Sequence, residues 1–147
     1  MNQVWKDQQY RAALAAAFFF WLVFLLITRR VPDWDWPLRS PILFLMPALV
    51  YPVLEELAFR GWLQSTLHQS PWARLHWRDI TIANVLTSIA FASSHLVWHS
   101  SFWATMVFVP GLIFGYFRDR YQKILPCIAL HIFYNCGFLW LFTKPQP

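Results

Sequence analysis

Residues 12–28 read AALAAAFFFWLVFLLIT, a run without a charge, a proline or a glycine that ends at Arg29-Arg30-Val31-Pro32. Wound as a helix rising about 1.5 Å per residue, such a run comes close to crossing a hydrocarbon core of about 30 Å. Four further apolar segments follow, at 41–66, 80–98, 102–117 and 124–142. The first and fourth of the five are at the short end of what spans a bilayer, so one of them is expected to be tilted, re-entrant or extended by its flanks. Together they predict an all-α fold, a polytopic transmembrane helix bundle of about five spans within a range of about four to six. No repeat or soluble domain is visible, and 1–147 is read as a single membrane-embedded domain with a motif-bearing core at about 41–142.

Composition agrees. Of the 147 residues, 58% are hydrophobic, 20% aromatic and 13% charged, far more apolar than a soluble domain of this size. The net charge of +5 is spread over connectors, with Arg29, Arg30, Arg39, Arg74, Arg78, Arg118, Arg120 and Lys123 standing between apolar runs. That pattern fits membrane topology and anionic headgroups and argues against nucleic acid as a partner. With five spans, Lys6, Arg11, Arg74, Arg78, Arg118, Arg120 and Lys123 fall on one side and Arg29, Arg30, Arg39 and Lys144 on the other. The bias places the N-terminus in the cytoplasm. The first apolar run is longer than a secretory h-region and lacks a small-x-small cleavage site, so it is expected to stay as an anchor. Cys127 and Cys136 stand roughly 13 Å apart along one helix, too far for a disulfide.

Ionisable groups inside such segments are costly, by about 2.5–3.5 kcal/mol each on insertion scales, and usually face a bundle interior. They are few. The second segment holds Glu55, Glu56 and Arg60, the third holds His95 with His99 just past its end, and the fifth holds His131 with Asn135. Glu56 and Arg60 are at i and i+4 and can pair on one helix face. Glu55 is turned about 100° away, toward no cation of its own helix. A carboxylate there suits a general base, although three such groups could also serve only to hold helices together. His131 and Asn135, again i and i+4, project together and could hold an oxyanion or act as interhelical hydrogen-bond glue. Phe91 and His95 share that spacing, which lets the ring pack beside the imidazole. Three helices thus each bring a polar group of catalytic type into the membrane, as a hydrolytic site requires.

These residues form three ordered motifs: Glu55-Glu56-Leu57-Ala58-Phe59-Arg60 as EExxxR, Phe91-Ala92-Ser93-Ser94-His95 as FxxxH, and His131-Ile132-Phe133-Tyr134-Asn135 as HxxxN. In this order the chain resembles the CAAX protease and bacteriocin-processing (CPBP, or Abi) family of intramembrane glutamic proteases, which includes the type II CAAX prenyl endopeptidase. The resemblance implies that Glu55 activates water with help from His95, that His131 and Asn135 stabilise the oxyanion, and that Glu56 and Arg60 brace the site. Phe91 is carried over as structural support. It also implies no cofactor and no metal, a membrane-associated peptide or protein as substrate, and a bacterial inner membrane as the location. A bacteriocin-type precursor or a C-terminal sorting tail would replace the prenylated substrate in bacteria. The chain departs from larger members in having one span ahead of the motif helices, which leaves room for a membrane partner or a homo-oligomer to supply missing walls.

Three competing readings use the same residues. Glu55, His95, His99 and His131 could ligate zinc, although no His-Glu-x-x-His is present. A non-enzymatic membrane scaffold or immunity protein could bind a peptide with the same donors. A transporter is disfavoured by the lack of an inverted repeat.

Overall fold

The computed structural model describes residues 4–97 and 100–143, and within these the fold is all-α apart from one small hairpin. Helix α1 is Gln8–Thr28. It starts ahead of the apolar run because Asp7 caps it, accepting from the Gln9 N–H at 2.8 Å, and it stops where Arg29 turns left-handed at φ 50°. After the short α2, Trp36–Arg39, the long helix α3 covers Pro41–Leu67. A 3₁₀ turn at Pro71–Arg74 leads into strands β1, His76–Trp77, and β2, Ile80–Thr81, paired antiparallel. Then come α4, Ile82–His95, the short α5, Ser101–Met106, α6, Phe108–Tyr121, and α7, Leu125–Phe142.

Among the described residues, α1, α3 and α7 are the helices long and apolar enough to cross a membrane, and the protein is a polytopic helical membrane protein. The third and fourth expected segments differ from expectation. Both α4 and α6 are 14 residues long, about 21 Å of helix against a core of about 30 Å. The third loses its first residues to β2, where the Thr81 hydroxyl caps α4 by accepting from the Asn84 N–H at 3.0 Å. The fourth is broken at Val107 into α5 and α6, and α6 runs on through Arg118, Asp119 and Arg120, which read as a connector in the sequence. The Cys127 and Cys136 thiols are both free.

α3 is not a uniform α-helix. Met46–Val50 and Leu57–Leu63 wind as π-helix, the second beginning directly after Glu56. Pro52 has no N–H to donate, so neither the Ala48 nor the Pro47 carbonyl receives its ordinary partner from that position. The Pro47 carbonyl instead accepts from Asn135 Nδ2 at 3.0 Å.

Two compact units divide the chain: Met1–Val53 with Ala129–Pro147, and Leu54–Ile128. In the first, α1 packs against α7 through Ala17, Trp21 and Phe142, with Phe24, Phe133 and Phe138 around them. The Tyr134 hydroxyl donates to the Ala13 carbonyl at 2.8 Å. The last carbonyls of α7, which no helical N–H can reach, are taken by side chains of the α1–α3 connector. Arg30 Nη1 donates to Phe142 O at 2.6 Å and Trp36 Nε1 to Trp140 O at 3.2 Å. In the second unit, α4 packs chiefly on α6.

Candidate active site

The residues of the first two motifs lie in the second unit. Glu56 and Arg60 are both fully buried, and Arg60 Nε stands 3.6 Å from Glu56 Oε2. The i, i+4 spacing therefore yields the ion pair expected of it. The guanidinium is held further by Nη2 donating to Gly111 O at 2.8 Å and by the rings of Phe91 and Phe114, whose centroids lie 4.8 and 5.9 Å from Cζ. A buried cation with a counter-ion, a carbonyl and two aromatic faces is fixed in place.

Glu55 is half-buried where Glu56 is sealed. The ion pair on this helix is the one between Arg60 and Glu56. Of the two adjacent carboxylates, only Glu56 is closed off from the surroundings.

On α4, His95 Nδ1 lies 2.8 Å from the Phe91 carbonyl. A carbonyl can only accept, so Nδ1 is the donor in this bond and Nε2 is the ring nitrogen it leaves over. The Phe91 ring meets the imidazole edge-on at 4.7 Å and the Phe59 ring at 5.2 Å. Phe91 accordingly stands between Arg60 and His95, in contact with both. The spacing in the sequence shows the packing on His95 but not the contact with the guanidinium.

The third motif lies in the first unit, on α7. His131 is buried and Asn135 half-buried. The Asn135 amide spends one N–H on Pro47 O. An amide nitrogen carries two hydrogens, so this bond fixes the orientation of the second.

Four polar residues of the second unit escape a motif-based reading: Gln64, His68, Thr81 and Asp119. Asp119 accepts from Gln64 Nε2 at 2.7 Å, His68 Nε2 at 2.6 Å and Thr81 Oγ1 at 2.7 Å. Part of the signal is present in the sequence, because Gln64 and His68 continue the four-residue step of Glu56 and Arg60. Among the described residues no group of three or more His, Cys, Asp or Glu side chains could hold a metal ion. His99, one of the four ligands of the zinc alternative, lies outside the described residues.

A family model described as "Type II CAAX prenyl endopeptidase Rce1-like" matches residues 37–137, more than two thirds of the chain. The chain belongs to this family. All three motifs fall inside the matched region. Members of the Rce1-like family are intramembrane proteases. No curated protein and no solved structure matches the chain. The all-α membrane fold and the buried Glu56–Arg60 pair thus belong to an Rce1-like chain.

Proposed function

We propose that this protein is an intramembrane glutamic endopeptidase that cleaves a peptide bond near the terminus of a membrane-associated peptide or protein. The observation that carries the reading is the unequal treatment of two adjacent carboxylates. Glu56 is sealed against Arg60, while Glu55 is half-open beside it. A sealed, paired carboxylate braces, and an accessible one can take a proton from water. In this reading Glu55 is the general base and His95 orients the water. His131 and Asn135 donate to the carbonyl oxygen as it gains charge. The hydroxide attacks the carbonyl carbon, the tetrahedral intermediate collapses, and the proton held by Glu55 passes to the departing amine. The substrate class and the cytoplasmic N-terminus in a bacterial inner membrane belong to the same proposal.

The test incubates detergent-purified protein with three peptides: a prenylated CAAX peptide, its unprenylated twin and a bacteriocin-type precursor. Mass spectrometry reads the products, with and without a metal chelator. Cleavage by the parent that chelation leaves intact and Glu55→Gln abolishes, with the variant still folded, is the expected result. Full activity in Glu55→Gln sinks the mechanism, and activity lost on chelation favours the zinc reading.

A further inference from the structure

Glu56, Arg60, Gln64 and His68 follow one another at four-residue steps along α3 and one residue past its end. Four residues overshoot a full α-helical turn by about 40°, which would wind such a row around the helix. The wider turn of the π segment Leu57–Leu63 counters that drift and keeps the row on one face. On α6, Gly111, Gly115 and Asp119 repeat the same step.

The two rows are joined rung by rung. Arg60 Nη2 donates to Gly111 O at 2.8 Å, Gln64 Nε2 to Gly115 O at 3.0 Å, and His68 Nε2 bonds Asp119 Oδ1 at 2.6 Å, each across 51 residues of sequence. A constant offset means that the two segments run in the same direction without slippage. The upper rungs end on backbone carbonyls. The last ends on a carboxylate, which also takes the Gln64 amide on Oδ1 and the Thr81 hydroxyl on Oδ2.

Thr81 is in turn the N-cap of α4. One carboxylate therefore ties the end of the helix that bears Glu55 to the first turn of the helix that bears His95. We propose that Asp119 is a positioning residue for hydrolysis: it fixes the axial height and rotation of Glu55 relative to His95. The proposal rests on the protease reading, and it needs no contact between Asp119 and substrate. A displacement of about 1 Å in a reacting group can cost about 10²-fold in rate, so a tie of this kind has kinetic consequences far from where it sits.

The test uses the full chain in detergent and the peptide that the parent cleaves best among the three above. Single-turnover rate and peptide dissociation constant are measured for Asp119→Ala and Asp119→Asn, together with backbone hydrogen exchange. Asp119→Ala is expected to lower the rate about 10²-fold with the dissociation constant unchanged, and to speed exchange at 64–68 and 82–86. Asp119→Asn keeps the Oδ1 acceptor for Gln64 and His68 and is expected to recover part of the rate.

Full rate in Asp119→Ala, or a loss that comes entirely as weaker peptide binding, overturns the proposal. Should Asp119→Ala fail to fold, His68→Gln, which retains an N–H donor, is compared with His68→Leu, which does not. The first should stay near the parent rate and the second fall about tenfold, while equal rates overturn the proposal. A parent that cleaves none of the peptides overturns the protease reading instead. Unchanged exchange at both helix ends in Asp119→Ala would then overturn the tie itself.

Discussion

Burial divides Glu55 from its neighbour Glu56, and the two should respond to mutation differently. Glu56→Gln or Arg60→Met strands a charge in a dry site, a loss of about 3–5 kcal/mol, so both variants should melt at lower temperature as well as lose activity. Melting curves equal to the parent's would remove the bracing role. Asn135 carries two duties in this account, a bond to Pro47 O and a contact with the reacting carbonyl. Asn135→Ala should lower kcat by about 10²–10³ with little change in peptide affinity, and destabilise the fold by about 1 kcal/mol. Weakened peptide binding in a parent without turnover would instead favour the scaffold. Pairings within one element, such as Glu56 with Arg60, can be read directly from spacing. Asp119 could not be read that way, because its donors come from 38 to 55 residues away and its own stretch, Arg118-Asp119-Arg120, has the composition of a connector.

Helix ends account for most of the difference between expected and observed elements. Hydropathy alone joins 80–98 into one span, but Thr81 and its partner in the hairpin start the helix late, and the helix closes at His95. α3, by contrast, emerges close to its expected bounds, although its two π segments leave no mark on composition. Close approach between α4 and α6 depends on Gly115: a Cβ built there would overlap the Asn84 side-chain amide, which donates to Leu112 O at 3.0 Å. Gly115→Ala should therefore cost about 1–3 kcal/mol. Gly61→Ala is the control, since its Cβ would press closely only on the flexible end of Ile124, at 3.1 Å, with the Glu56 carbonyl at an ordinary 3.8 Å. Thermal melting of the two variants side by side checks this, and equal melting temperatures would show that α4 can move away at no cost.

Among the described residues, three long apolar helices and two of 14 residues are the principal helices, where five apolar runs stand in the sequence. Composition establishes that lipid is the solvent, but it cannot tell which short helix answers the polar row of the long helix α3. That answer lies in the rungs at Gly111, Gly115 and Asp119. Their even spacing sets where the chain tolerates a change of length. One residue inserted between Gly111 and Gly115 would turn everything after it by about 100° and leave Gln64 and His68 facing the wrong carbonyl and no carboxylate. Two or three residues added at Arg78-Asp79, the exposed tip of the hairpin, only lengthen a loop, at a cost of about a few tenths of a kcal/mol. Expression and melting of the two insertions should differ sharply, and equal tolerance would count against the ladder. Over evolutionary time, insertions and deletions in descendants of this sequence are thus channelled into the hairpin tip, while the interval from Gly111 to Asp119 stays fixed in length even where its residues drift.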